Sequence, residues 1–418
     1  MAGLFEKSAS LSLNNFVIFL YLSCLTTNFT ASTTTTSAVK TPSRFATKLI
    51  HRDSALSPAR LACLGAKAGF SNNGDTCASL WSTIYGQFLN RHSEPPVPQL
   101  LTIDTGSNLL CLQCLPCTKC FEQTSPTLPS PHHTPHYHAH PQYCTISPSD
   151  KCDPSNNCKF SHEYLDGIKV AGLIGTKNFT FDASDKGIST VPNVVFGCAH
   201  DNDGYNGQPS GLVGLGPSNI SLANHMGSKL SYCIGSIRDP NYPHNKLVLG
   251  DGAKIEGTST PIQVYNELYY LTLESISLAE RRLEIDPEIF KRTESGSGGT
   301  VIDSETIVTF LATGAHVVLR DKVQKLLDGR LEKVEKPGVP SGLCYKGKIR
   351  QDLIGFPDVV LNFADYGEGD FCMAVQVSPE GSDLNVVGIM AQQHYNVAYD
   401  LAASQVYFQS IDCQLLDD

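Results

Sequence analysis

The sequence predicts a mainly β protein of two packed domains, and three observations support this prediction. Short apolar runs separated by Gly, Pro, Asn, Asp and Ser recur from residue 95 to the C-terminus, as is typical of many short strands joined by turns. The chain has 418 residues, more than one compact core accommodates. Two segments of similar pattern, 100–107 and 299–306, lie about 200 residues apart, close to the length of a lobe.

Composition and charge exclude several classes of protein. Hydrophobic residues make up 41% and charged residues 17%, which is typical of a globular chain and not of a disordered one. The net charge of -10 offers no basic surface, so we expect neither a nucleic-acid partner nor stable membrane association. Helical periodicity is sparse, and the best helix candidate is 314–327.

The N-terminus is typical of a secretory signal peptide, which we assign to residues 1–31. Lys7 precedes an apolar run at 16–25, and small polar residues follow it. A run of about ten residues is too short for a membrane-spanning helix, which needs ~20. A membrane anchor and a buried strand are the alternatives. Sequons at Asn178 and Asn219 predict N-glycosylation, consistent with secretion.

The cysteines indicate disulfides in an oxidising compartment. There are fifteen, and they are dense between Cys111 and Cys152. The run at 111–120 contains Cys-x-x-Cys spacings that also occur in zinc sites, but disulfides are favoured in a secreted chain. Five histidines at 132–140 are interrupted by Pro135 and favour an exposed loop over a metal site. We therefore expect no metal and no cofactor.

The two similar segments carry the candidate chemistry. The first, LLTIDTGS, places Asp104 before Thr105 and Gly106, and the second, GTVIDSET, places Asp303 before Ser304. Each is an apolar strand that ends in aspartate and continues with a hydroxyl residue. A single Asp-Thr-Gly would most often be an ordinary turn, but its repetition one lobe later favours a shared site.

Each aspartate also has a downstream companion of two apolar residues and a glycine, at 212–214 and 386–388. Four segments in this order are far more specific than one. If the carboxyl groups converge to ~3 Å, they cannot both ionise and must share a proton. Such a pair can take a proton from a bound water with one carboxylate and donate one with the other.

With these motifs the chain resembles the pepsin family of aspartic proteases and, within it, the plant nepenthesin-like branch. LIHRDSALSP at 49–58 is similar to the prosegment of that branch, and QCLPCTKC at 113–120 to the start of its cysteine-rich insertion. The resemblance implies a bilobal pepsin-like acid protease fold with an interlobe cleft. It assigns 32–90 to a prosegment and junction, 91–255 to the N-terminal lobe and 256–418 to the C-terminal lobe.

The same resemblance implies an aspartic-type endopeptidase, made as a zymogen, in which Asp104 and Asp303 activate water. Thr105, Gly106 and Ser304 would position the carboxyl groups and the substrate. Tyr164 would be the tyrosine of a hairpin, the flap, that covers the cleft. We expect a monomer that acts on polypeptides, secreted to the apoplast or cell wall or delivered to the vacuole.

The resemblance also implies a disulfide pattern, which spacing alone cannot give. The expected pairs are Cys114–Cys117, Cys120–Cys198, Cys144–Cys158, Cys233–Cys413 and Cys344–Cys372. Cys24 lies in the predicted signal peptide, and the other four cysteines stay unassigned: Cys63, Cys77, Cys111 and Cys152.

Several residues depart from the family pattern and predict weakened activity. Glu305 replaces the Gly of the second Asp-Ser-Gly, where a Gly lets the backbone turn tightly and a Glu adds bulk and charge. Ile168 replaces a flap Ser or Thr, Cys111 a Trp, and Ile389 an Asn. The alternative function is a catalytically inactive, protease-like binding protein of the xylanase-inhibitor type. A third possibility is a decayed gene product that folds poorly.

Overall fold

Strands dominate the part of the chain that the computed structural model describes. The described residues are 44–51, 84–90, 97–123, 127–129, 151–152, 158–164, 167–183, 187–203, 209–236, 239, 241–278, 281–335, 343–354, 356, 363–365 and 370–416. The predicted signal peptide, most of the 32–90 segment, the histidine-rich tract and Cys63, Cys77 and Cys144 lie outside them.

The strands of the first half of the chain are β1 to β12. Their bounds are β1 Arg44–His51, β2 Ile84–Asn90, β3 Val97–Asp104, β4 Leu110–Leu115, β5 Leu128–Pro129, β6 Lys151–Cys152, β7 Cys158–Glu163, β8 Lys169–Ala183, β9 Gly187–Asp203, β10 Gly211–Gly214, β11 Lys229–Ile234 and β12 Lys246–Gly250. One short helix, α1, spans Leu222–His225, and the side chain of Ser221 caps its N-terminus.

The second half continues with β13 to β26. Their bounds are β13 Thr258–Tyr265, β14 Leu268–Leu271, β15 Ser277–Leu278, β16 Arg281–Arg282, β17 Thr300–Ile302, β18 Thr309–Leu311, β19 Lys333–Val334, β20 Cys344–Lys346, β21 Phe363–Asp365, β22 Asp370–Met373, β23 Val375–Val377, β24 Asn385–Val387, β25 Tyr395–Asp400 and β26 Gln405–Ser410. The helices are α2 Thr313–Leu327 and α3 Ile349–Asp352, and 3₁₀ turns span Pro287–Phe290, Ile389–Gln392 and Cys413–Leu416.

The fold is mainly β with two lobes, as predicted, and one antiparallel sheet joins them. Its strand order is β1-β12-β11-β25-β26-β13. The central pair joins β11 of the first half to β25 of the second, with Leu230 opposite Tyr399. The strands are arranged as two similar halves, so β1 and β13 occupy corresponding edges. Both edge strands then pair with the next strand in sequence, β2 and β14.

β1 lies inside the segment assigned to the prosegment, and its side chains are part of the core. Phe45, Ala46, Thr47 and Leu49 are each at most 2% exposed. The ring of Phe45 packs against that of Phe181 on β8, with ring centres 4.7 Å apart. Residues 44–51 therefore form part of the core of the first lobe.

The helix predicted at 314–327 is present as α2, and its buried face follows the helical period. Ala315, Leu319, Val323 and Leu327 recur every four residues and are buried in the core of the second lobe. His316 lies beside this face and is only 1% exposed. Its Nε2 has no hydrogen-bond partner among the described residues.

His316 is expected to make the protein less stable in acid. Burial lowers its pKa from the ordinary value of 6.5. The unfolded chain then binds the proton more readily, so stability falls as the pH drops below about 6.5 until His316 is protonated in the fold. We expect His316→Asn to lose less melting temperature between pH 7 and pH 4 than the wild type does.

The matched control is His394→Asn, because His394 is exposed and already adopts the positive φ that asparagine tolerates. Thermal unfolding followed by circular dichroism at the two pH values measures the difference. Equal acid sensitivity of the His316 variant and the wild type would show that this histidine does not determine acid stability.

Candidate active site

Asp104 is the last residue of β3 and Asp303 follows β17, and beside each lies a strand that ends at or just before a glycine. β10 pairs in parallel with β3, so that Gly214 lies opposite Asp104, and β24 pairs in the same way with β17. A Cβ on Gly214 would come within 2.3 Å of the backbone after Asp104, and one on Gly388 within 2.2 Å of the backbone after Asp303. Only glycine therefore lets these strands approach the two loops so closely.

The two carboxyl groups meet beside Gly106. A Cβ on Gly106 would lie 3.1 Å from Oδ1 of Asp104 and 3.2 Å from Oδ1 of Asp303. The backbone N–H of Gly106 donates to Oδ1 of Asp104 (2.7 Å), and that of Glu305 to Oδ1 of Asp303 (3.0 Å). Oγ1 of Thr306 donates to Oδ2 of Asp303 (2.5 Å). The structure thus brings the two aspartates to one place in nearly the same local geometry.

Thr105 and Ser304 tie the two loops together across the lobes. The backbone N–H of Thr105 donates to Oγ of Ser304 (3.1 Å), and that of Ser304 donates to Oγ1 of Thr105 (3.0 Å). Oγ of Ser304 also donates to the carbonyl of Ile103 (3.1 Å). Both hydroxyl residues are buried, so these bonds fix the separation of the loops and with it that of the aspartates.

Asp104 holds a proton at mildly acidic pH. Its side chain is 2% exposed, and burial together with the nearby charge of Asp303 raises its pKa to about 7. Interactions with Ser107, Gly106 and the side chain of Glu305 lower the pKa, but less than burial raises it. A carboxylic acid that stays neutral below pH 7 is able to donate a hydrogen bond where an ionised one cannot.

A buried polar network contacts the backbone of Asp303. Nε2 of Gln392 donates to the carbonyls of Asp303 (2.9 Å) and Val387 (2.8 Å), and its Oε1 accepts from the hydroxyl of Tyr232 (2.5 Å). The hydroxyls of Tyr232 and Tyr399 lie 3.3 Å apart. Sequence reasoning missed this network, because nothing in the pattern around these residues distinguishes them. Thr306 was also missed, although a hydroxyl residue three positions after each Asp was a usable signal.

Tyr164 lies at the end of the hairpin formed by β7 and β8. Its N–H donates to the carbonyl of Ile168 (2.8 Å), and the N–H of Gly167 donates back to its carbonyl (2.9 Å). Gly167 has a φ of +87°, which a tight turn of this kind requires. The ring of Tyr164 packs edge-on against His162, with ring centres 4.6 Å apart.

A cavity of about 50 Å³ lies between this hairpin and the loop after Asp104. Ser107, Leu109 and Cys111 line it from the aspartate loop, and Tyr164 lines it from the hairpin. Glu267, at the tip of the β13–β14 hairpin, also borders it. Both halves of the chain therefore contribute to a small cavity beside the loop that follows Asp104, as expected of a site that binds a side chain.

Two family descriptions match the chain, Xylanase inhibitor N-terminal over residues 91–251 and Xylanase inhibitor C-terminal over residues 268–410. Aspartic proteinase nepenthesin-2 of Nepenthes gracilis is 30% identical over 74% of this chain and 74% of its own length. Aspartic proteinase nepenthesin-1 of the same plant is 31% identical over 76% of each chain. The chain belongs to the nepenthesin-like family of plant aspartic proteases.

A solved structure supports the family's fold. Basic 7S globulin from soybean aligns with a TM-score of 0.63 at 17% identity, covering 90% of this chain and 99% of that one. At this identity the likeness concerns the fold alone. The bilobal pepsin-like architecture predicted from the sequence is therefore confirmed.

Glu305 is the most consequential departure of this nepenthesin-like chain from its family's pattern. Its side chain interacts with the carboxyl group of Asp104 in the opposite lobe and lowers the pKa of that group. Neither Gly106 nor Glu305 has a positive φ, so the expectation that a glycine is needed there for a tight backbone turn is wrong. The physical reason for the glycine is space, since a Cβ on Gly106 would come within 3.2 Å of both carboxyl groups.

Cys111, which the resemblance matched with a tryptophan, packs in one cluster with Phe160 and Tyr164. It is a free, buried thiol, and burial raises its pKa to about 12. The thiol therefore stays protonated and is no nucleophile at physiological pH.

The structure corrects two of the expected disulfides. Cys114 pairs with Cys198, and Cys117 with Cys120. The reason is the parallel pairing of β4 with β9, which places Leu112 opposite Cys198 and brings the buried Cys114 to its side, 5.4 Å away between Cα atoms. Cys117 and Cys120 are left together in the turn that follows β4.

The other expected pairs agree with the structure where it describes them. Cys233–Cys413 and Cys344–Cys372 are present. Cys158 is disulfide-bonded, and its expected partner Cys144 lies outside the described residues. The two sequons differ in exposure: Asn219 is exposed, whereas Asn178 is half-buried, with its Oδ1 accepting from the N–H of Asn193 (3.0 Å).

The described residues contain no cluster of three His, Cys, Asp or Glu side chains placed to hold a metal ion. None of their helices is both long and apolar enough to cross a membrane.

Proposed function

We propose that the protein is a secreted aspartic endopeptidase that hydrolyses peptide bonds at acidic pH through a water held by Asp104 and Asp303. The observation that supports this most directly is the meeting of both carboxyl groups beside Gly106, fixed by the cross-lobe bonds of Thr105 and Ser304. Family membership supports the reaction class. The substrates we propose are polypeptides bound in extended form under the β7–β8 hairpin.

The two aspartates share one proton, and the pKa of Asp104, raised by burial and by the charge of Asp303, supports Asp104 as the proposed proton donor. The neutral Asp104 donates its proton to the oxygen of the scissile carbonyl, and Asp303 accepts a proton from the water that attacks the carbonyl carbon. The product of attack is a tetrahedral diol, and no bond forms between enzyme and substrate. Thr306 and the N–H of Glu305 hold Asp303 in position to accept the proton. Tyr164 and its hairpin close over the substrate and exclude bulk water.

The remaining sequence-based assignments belong to this proposal. They are removal of residues 1–31 as a signal peptide, activation by processing within 32–90, lobes at 91–255 and 256–418, glycans on Asn178 and Asn219, and action as a monomer outside the cell or in the vacuole.

The test is hydrolysis of acid-denatured haemoglobin at pH 3–5 by the secreted protein, with and without a statine-containing inhibitor. The proposal expects inhibitor-sensitive cleavage that is absent from Asp104→Ala. No cleavage and no inhibitor binding, by either the wild type or Glu305→Gly, would reject it.

A second candidate is a protein that binds glycoside hydrolases without peptidase activity. The interaction of Glu305 with Asp104 favours this second candidate, because a third carboxyl group beside the pair competes for the space that a catalytic water would occupy. The descriptions of the matching family models name xylanase inhibitors, which suggests a xylanase as the probe. Inhibition of a microbial xylanase by wild type and Asp104→Ala alike, with no peptidase activity, would favour this candidate.

A further inference from the structure

Glu305 brings a third carboxyl group to the aspartate pair, and the local symmetry of the two loops shows how. Its backbone N–H bonds to Oδ1 of Asp303 just as that of Gly106 bonds to Oδ1 of Asp104. The two residues therefore occupy corresponding positions, and the surroundings of Gly106 indicate those of Glu305. A Cβ on Gly106 would lie 3.1 Å from its own aspartate and 3.2 Å from the other. A side chain starting at this position has both carboxyl groups as neighbours.

A hydrogen bond between the carboxyl groups of Glu305 and Asp104 requires a proton. Two ionised carboxylates have no donor between them, so one of the two groups must be neutral for the bond to exist. A second proton is needed for the pair itself, because Asp104 and Asp303 cannot both ionise at close range. The cluster of Glu305, Asp104 and Asp303 therefore holds two protons, whereas a pair of aspartates alone holds one.

Which of the two carboxyl groups donates the shared hydrogen bond determines whether Asp104 can protonate the scissile carbonyl. When Glu305 is neutral, it donates to Asp104 and leaves the proton of Asp104 free to face the substrate. When the cluster loses one proton, Glu305 becomes an acceptor and draws the proton of Asp104 toward itself. Asp104 then has no proton to give to the scissile carbonyl, although both aspartates remain in place.

We propose that Glu305 is a positioning residue of the acid pair, which shares a proton with Asp104 and restricts hydrolysis to a lower pH than the two aspartates alone would allow. The inference rests on the proposed endopeptidase function. The other ionisable groups described around the site are Asp303 opposite, Tyr232 and Tyr399 below it, His162 and Tyr164 on the hairpin, and Glu267 at the cavity.

The experiment compares the pH profile of kcat/KM for one peptide substrate in the wild type, Glu305→Gln and Glu305→Gly. Glutamine keeps the volume and can still donate to Asp104, but it never becomes an acceptor carboxylate. We expect the alkaline limb of Glu305→Gln to lie about one pH unit above that of the wild type, so that it is about tenfold faster at about pH 6 and similar at about pH 3. Glu294→Gln, which changes an exposed carboxyl of the same lobe, is expected to match the wild type.

Two outcomes would overturn the inference. Superimposable profiles of Glu305→Gln and wild type would show that Glu305 does not determine the alkaline limb. If Glu305→Gly were faster than the wild type and Glu305→Gln as slow as the wild type at every pH, the volume of the Glu305 side chain, and not its proton, would limit hydrolysis.

A readout that needs no catalysis keeps this inference separate from the proposed function. Carbon-13 NMR of side-chain carboxyl carbons, with the Glu305 signal identified by its loss in Glu305→Gln, follows the titration of Glu305 in the resting protein. We expect it to keep its proton to a higher pH than the exposed Glu294, and to lose this difference in Asp104→Asn. Titration together with Glu294 would refute the shared proton even in a protein without peptidase activity.

Discussion

Asp104→Asn and Asp303→Asn are each expected to lower kcat/KM for a peptide substrate by about 10⁴-fold. Asparagine keeps the volume of aspartate but can neither release nor accept a proton at these positions. The loss should therefore affect kcat, while the melting temperature stays within a few degrees of the wild type. Cleavage assays at pH 3–5 and thermal unfolding of the same samples measure both.

The natural control for these variants is Asp286→Asn, because Asp286 is an exposed aspartate that caps the 3₁₀ turn at Pro287–Phe290 and belongs to neither aspartate loop. It should retain wild-type activity. If Asp104→Asn and Asp303→Asn kept more than about a tenth of the wild-type rate, the pair would not be the source of hydrolysis.

Removing the disulfide between Cys233 and Cys413 by alanine substitution of both residues is expected to cost about 4 kcal/mol of unfolding free energy. The bond spans 180 residues and fastens β11, in the middle of the joining sheet, to the C-terminal turn. Both cysteines are almost fully buried, so their loss also weakens packing. Urea unfolding of the oxidised proteins measures the effect.

The matched comparison is the pair Cys117–Cys120, which is only 3 residues apart in sequence and lies in an outer turn. Because a short loop restricts the unfolded chain far less, its removal should cost less than half as much. An equal loss from both double variants would mean that chain restriction is not the source of the stabilisation.

The sequence predicted those features that depend on local pattern or on pattern repeated along the chain. The strand-rich fold follows from short apolar runs between turn residues, and α2 follows from the four-residue spacing of Ala315, Leu319, Val323 and Leu327. The proximity of Asp104 and Asp303 could be predicted because the same motif occurs twice, each time with a downstream apolar segment and a glycine.

The rest depends on contacts between segments remote in sequence. The pairing of Cys114 with Cys198 follows from the register of β4 against β9, which no local pattern encodes. The support of Asp303 by Gln392 and Tyr232 joins three distant segments in the same way. At Glu305 the sequence indicated the bulk and the charge, but its particular partner, Asp104, required the arrangement of both loops.

The position of β1 has a consequence for how the chain can be cut. Residues 44–51 contribute the row of backbone bonds along β12 and the buried rings and methyl groups that cover one end of the joining sheet. After cleavage of the chain behind residue 51, residues 44–51 would stay bound without a covalent link. The protein would then give two bands in denaturing electrophoresis and one peak in native gel filtration. Removing residues 44–51 would expose the edge of the joining sheet, and an exposed sheet edge can pair with a strand of another chain.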